Sequence, residues 1–359
     1  MPKPTTKSVI FIRARCKPNT GWTTTALFRR LLLIALAGLL TLLLTAAAIA
    51  GTTDTPVQPF YSRNQNPFVQ IFGLPAAEPG RVTQTGDLPG RLVISTANSL
   101  SFSTAGNEEI VLDGETYRTT GVFRYGLNNS FEIGLDIPYV SHTTATFDGF
   151  IDNWHHFFNL PEGQRPNRAN KLLEYRYRVN GLDRFLLNNS TSGLGDIMFS
   201  AGYQLPTGSS PDRAAALRTY LKLPTGDAEK LSGSGAADLG ISIFGQESSN
   251  ALNIFGGGGL LLTGKGRVLA DRRQPLVGFA SLGAGWAIWE WLDLKIQFDG
   301  HTPFYESDLD ELGKGSIQLN MGGALHFYKN WTLTINVAED IMVNTAPDVV
   351  FYLELQTTF

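Results

Sequence analysis

Few side chains in this chain are spaced for chemistry. Five histidines occur: His142, His155, His156, His301 and His326. Ser141 precedes His142, and a hydroxyl beside an imidazole could begin lipid-ester hydrolysis. That reaction needs a base oriented by a third group next to the nucleophile, and no such constellation follows. His155-His156, with Asp148 and Asp152 nearby, could suggest a metal, but adjacent residues point to opposite sides of a helix and cannot easily share an ion. The single cysteine, Cys16, excludes a disulfide scaffold and a cysteine-based zinc site. Pro206-Thr207-Gly208 and Pro224-Thr225-Gly226 lack the Gly-Lys-Ser/Thr ending of a phosphate loop. The expectation is no catalytic residue, no metal and no cofactor.

The remaining chemistry lies in charges that recur at every second position, so the elements that carry them come next. Leu292, Leu294, Ile296 and Phe298 alternate with Asp293, Lys295, Gln297, Asp299 and His301. The same period of two runs through Phe131–Tyr139, Leu217–Leu223, Ser316–Tyr328 and Trp331–Ala338. Period two means strands with one apolar face. A soluble sandwich alternates as well. The strands here are long enough to cross a membrane, which takes about 9–11 tilted residues. Connection lengths alternate too. Short turns at Gly126–Asn129, Glu247–Asn250, Trp289–Trp291 and Lys329–Asn330 follow longer loops, of which Ser141–Ser192 is the longest. Short turns on one side and long loops on the other are the pattern of an outer-membrane barrel. The predicted architecture is all-β: a transmembrane antiparallel β-barrel of about twelve strands over residues 91–359. Trp286, Trp289, Trp291, Tyr328 and Trp331 gather near the short turns, as an interfacial girdle should.

Alternation then points one set of side chains inward: Arg118, Arg124, Glu132, Asp136, Asp196, Arg218, Lys222, Asp238, Asp293, Lys295, Asp299, His301, His326 and Glu354. Pairing across the Gly126–Asn129 turn sets Arg124 beside Glu132. The signs interleave, which suits either a satisfied network filling a narrow interior or the lining of a polar conduit. A charge at membrane depth is costly unless paired, so pairing is expected in both cases. Gly256–Gly259, inside a strand, is expected to allow close packing or a constriction.

The ends carry other signals. Residues 1–30 contain seven basic and no acidic residues, and Leu31–Ala50 is uncharged and ends in Ala48-Ile49-Ala50. This reads as a secretory signal peptide over residues 1–50, with Sec export, because a barrel must cross unfolded. The remainder holds 22 basic and 32 acidic residues, a net charge of −10, so nucleic acid is not an expected partner. Residues 51–90 are Pro-rich yet too apolar for simple disorder. They are expected to form a periplasmic tail or a lumen plug, with Asn64, Asn66, Pro67, Phe68, Ile71 and Phe72 as candidate contacts. Within the 141–192 loop, Phe147, Phe150, Ile151, Trp154 and Phe158 form a helical stripe. Asn180-Gly181 signals a hairpin. The chain ends on an alternating strand closed by Phe359.

That last strand resembles the C-terminal signature of outer-membrane proteins, and the resemblance implies the barrel-assembly machinery as a partner. Asn64–Pro75 (NQNPFVQIFGLP), Ser192–Pro206 (SGLGDIMFSAGYQLP) and Leu221–Gly240 (LKLPTGDAEKLSGSGAADLG) resemble the outer-membrane barrel family known as domain of unknown function 3187. The second and third stretches are also similar to outer-membrane transporters associated with aromatic-compound degradation. The likeness implies a fold and a location, the outer membrane of a Gram-negative bacterium. It carries over no ligand residue. The reading that follows is a passive channel or transporter for small molecules, with outer-membrane lipid and a small-molecule solute as partners. A non-conducting structural or surface-interaction barrel comes second, and a lipid-modifying enzyme third.

Overall fold

The computed structural model describes residues 57–144, 173–208, 210–327, 330–342, 344–347 and 349–359. The export-signal reading, the helical stripe at 147–158, the paired histidines His155-His156 and Tyr328 of the girdle fall outside them.

Among the described residues fifteen strands form: β1 (Pro89–Ala105), β2 (Glu108–Asn128), β3 (Phe131–Thr143), β4 (Glu174–Val179), β5 (Leu182–Leu187), β6 (Thr191–Leu194), β7 (Met198–Leu205), β8 (Arg213–Lys222), β9 (Asp238–Ser249), β10 (Leu252–Leu262), β11 (Leu276–Trp289), β12 (Leu292–His301), β13 (Ser316–Phe327), β14 (Trp331–Asp340) and β15 (Val349–Thr358). Twelve of them, β1–β3 and β7–β15, pair antiparallel in chain order. β1 closes the ring on β15, from Pro89 opposite Thr358 to Asn98 opposite Val349. Closure removes both sheet edges, which a lipid environment demands.

The outward face is apolar. Leu239, Ile241 and Ile243 on β9 are exposed, as are Ile133 and Ile137 on β3 and Ile335 on β14. Their neighbours Ser242, Asp136 and Asn336 are buried. A greasy exterior over a polar interior inverts a soluble protein and matches a membrane-spanning barrel. Trp289 and Trp291 stack outward beside a short turn, 5.1 Å apart. Trp286 departs from the expected girdle. It is buried, and a register shift between Ala287 and Trp289 separates it from that pair.

The other three strands extend the wall at the long-loop end. Asn180 (φ 53°) and Gly181 (φ 75°) form the tight turn between β4 and β5, as the Asn-Gly dipeptide requires. β2 pairs with β4 over Glu108–Asp113 and with β3 from Glu115 onward. Gly114, at φ 153°, sits where the partner changes. β6 continues the ladder on β3 beyond Pro138. In the glycine run of β10, a Cβ at Gly257 or Gly259 would lie about 2 Å from a carbonyl oxygen of β9. Close strand approach therefore accounts for those two glycines.

Candidate functional site

Residues 57–88 run inside the ring as an inverted U. The rising limb lies parallel to β12 with a constant offset of 237 residues. Lys295 Nζ donates to Gln58 O at 3.2 Å. Phe60 N donates to Gln297 Oε1 at 2.8 Å, and Gln297 Nε2 donates back to Phe60 O at 3.2 Å. Ser62 Oγ donates to Asp299 Oδ2 at 2.5 Å. Asn64 Nδ2 meets His301 Nε2 at 2.9 Å. Every second residue is met because both chains are extended, with side chains alternating across them. Tyr352, on β15, donates its hydroxyl to Arg63 O at 2.7 Å.

The apex is built by its asparagines. Asn64 Oδ1 accepts from Asn66 N, and Asn66 Oδ1 accepts from Phe68 N, side-chain turns that reverse the chain around Pro67. Phe68, Ile71 and Phe72 are each buried to within 3% exposure. Phe72 stacks on Phe304 at 4.8 Å, and Phe68 meets Phe185 edge-on at 5.4 Å. Leu231, Leu269, Leu309 and Leu312, from three long loops, complete this apolar cluster across the mouth. Tyr305, in one of those loops, donates to Phe68 O at 2.8 Å. Its burial raises its pKa well above the usual tyrosine value, so it remains a donor.

The falling limb follows β9. Gly73 N donates to Asp238 Oδ2 and Gly80 N to Gln246 Oε1, both at 2.8 Å. Gln204 accepts from Val82 N at 2.9 Å and donates to Gly80 O at 3.1 Å. Thr83 N donates to Glu132 Oε2 at 2.7 Å. The limb ends at Thr85, bridged to Gly126 at a short turn.

The alternation-derived charges meet as follows. Arg218 Nε donates to Glu132 Oε1 at 2.7 Å, and Arg218 Nη1 to Pro79 O at 2.6 Å. Arg124 donates to Asp136 at 2.6 Å and also to Glu78. Lys222 Nζ lies 2.7 Å from Asp196 and 3.0 Å from Asp238. His326 Nε2 lies 2.8 Å from Asp293. Arg91 reaches Glu354 at 3.9 Å, and Asn320 donates to Asp299 at 2.9 Å. Arg118 Nη1 donates to Gln70 O at 3.4 Å. One expected pairing is corrected. Arg124 faces Gly134 and not Glu132, because β2 and β3 run on to Asn128 and Phe131 and set the tight turn further along the chain, with a register shift between Gly126 and Asn128. Arg124 and Glu132 therefore take different partners.

The candidate hydrolase pair does not assemble. His142 meets Thr116 Oγ1 at 2.9 Å and Leu231 O at 3.3 Å, while Ser141 Oγ donates to Thr191 O. Adjacent strand residues face opposite sides. Among the described residues, no cluster of three His, Cys, Asp or Glu could hold a metal. Phe359 has an exposed side chain, and its backbone pairs both ways with Leu88.

Selection by charge missed the amides. Gln204, Gln246 and Gln297 serve the backbone of the inner segment as strand partners would. Each lies in a strand of alternating pattern, so the signal was present. Arg63 and Glu78 sit in a segment without periodicity, where no pattern marks them.

A family model described as protein of unknown function (DUF3187) matches residues 36–359. None of the curated proteins matches the chain. Among solved structures, the COG4313 outer membrane channel from Pseudomonas putida F1 is similar at 12% identity and a TM-score of 0.52, covering 78% of this chain and 97% of that one. The NanC porin aligns at 8% identity and a TM-score of 0.40, covering 76% and 98%. The KdgM porin solved with disordered oligogalacturonate aligns at 9% and 0.38, covering 76% and 99%. The first likeness supports the barrel fold.

Proposed function

We propose, from the premise that this chain belongs to the DUF3187 family, that it is a passive channel or transporter for small molecules, with residues 57–88 as its plug. Its place is the outer membrane of a Gram-negative bacterium, reached by Sec export, with Phe359 read by the barrel-assembly machinery. One observation carries the reading. The interior is filled by a strap of chain whose two limbs are held through wall side chains, Gln297, Gln246 and Gln204 among them, with apolar clusters shared between strap and wall. Polar contacts of this kind exchange for water at little net cost, so release of the limbs is opposed mainly by the apolar contacts that the strap shares with wall and loops.

A second reading, a non-conducting structural or surface-interaction barrel, draws on the apolar cluster across the mouth. Swelling of proteoliposomes in small sugars separates the two. The full chain should admit solute slowly. A Ser62→Cys/Asp299→Cys pair should abolish entry when oxidised and restore it when reduced. Removal of residues 57–88 should raise the rate at least tenfold. No flux from any of the three forms rejects the channel and leaves the second reading.

A further inference from the structure

A small chamber lies where the top of the inner segment meets the wall. It is lined by Arg63, Gln70, Arg118, Asp136, Asp196 and Lys222, among others, with room for about one water molecule. Three of these charges are already matched. Lys222 Nζ is held by Asp196, Asp238, Ile71 O and Ser234 Oγ. Asp136 accepts from Arg124 and from Tyr61. Asp196 accepts from Gly226 N and Ser234 N in addition to Lys222.

Arg63 and Arg118 differ. Both are at least 94% buried. Among the described residues, neither has a carboxylate within the 4.0 Å of an ion pair. Arg63 donates to the Tyr61 hydroxyl at 2.7 Å. Among the described residues, the Arg118 side chain has one hydrogen bond, 3.4 Å to Gln70 O, and its Nε has no partner. Gln70 is buried in the same place, and both of its side-chain polar atoms lack partners. Buried guanidinium groups are stable when an anion accepts their hydrogens. Two such groups beside an unused amide donor, around one small chamber, form a surface that suits an anion.

We propose that this chamber binds a small inorganic monoanion of the halide class, clamped between Arg63 and Gln70 of the inner segment and Arg118 of β2. The small chamber favours a compact ion. The ion ties the segment to the wall near its apex, and binding does not depend on whether the barrel conducts. Bromide is the probe. Protein refolded and crystallised in sodium bromide should give an anomalous peak in contact with both guanidinium groups, and Arg118→Gln should lose it. A chamber holding water alone, or bromide only elsewhere, overturns the proposal. The full chain should also unfold at a higher temperature in chloride than in gluconate at equal ionic strength, and Arg118→Gln should remove that difference. An equal difference in both proteins overturns it as well.

Discussion

Gln297 gives one side-chain amide to both backbone groups of Phe60. Leucine in its place leaves a buried N–H and C=O unpartnered, each worth about 1–3 kcal/mol. Gln297→Leu should therefore speed hydrogen exchange over residues 57–64 at least tenfold while exchange in β12 is unchanged. Protection equal to the parent's would show that Gln297 does not hold the limb. Arg218→Met strands Glu132 in the interior and should cost about 3–5 kcal/mol. Glu132→Gln added to it should recover much of that loss in a urea titration, and no recovery would reject the pairing. Alternation found both charged residues, because charge at a period-two position is visible in sequence. It passed over the glutamines, whose role depends on a second chain lying opposite them.

At the scale of elements, strand positions were legible because one face of each strand is uniformly apolar. The β4–β5 hairpin was legible from Asn180-Gly181. The change of partner by β2 was not, since Gly114 looks like any glycine until its φ of 153° is known. A Cβ there would lie 2.6 Å from a side-chain carbon of Leu173. Gly114→Ala should cost of order 1–3 kcal/mol in strain and detach the upper half of β2 with its hairpin. Limited proteolysis should then cut within residues 173–190 at least five times faster while the twelve-stranded ring resists. Unchanged cleavage would mean that the backbone there relaxes freely. Asp183 holds the hairpin from outside. Its pKa is lowered by the hydrogen bond from Arg178. Such a contact adds stability above the unfolded carboxylate's pKa and loses it as pH falls through the lower folded value, though at an exposed site the effect is small.

For the whole molecule, the outward face determines where the protein is stable. Ile241→Lys places a charge on the lipid-facing side of β9 and should cost about 2–4 kcal/mol if that position is near mid-membrane. Refolding into phosphatidylcholine vesicles, followed by heat-modifiable migration, should show a lower folded fraction than for Ile241→Val. Equal yields would argue against lipid contact at that position. The ring, its strand count and the sidedness of its loops could be read from sequence because they repeat along the chain. The path of residues 57–88 could not, because it is set by the inner wall and has no period of its own.

Both described ends of that path lie toward the same rim. Val57 packs beside Gly285, and Thr85 bridges to Gly126. The segment enters and leaves like a finger in a glove, so no stretch of chain has to thread the bore for it to come out. Retraction would pivot just before Pro89 and part the side-chain contacts along two limbs, the apolar cluster at the apex and the backbone bonds to Gly126, while the strand-to-strand rungs of the surrounding ring stay paired.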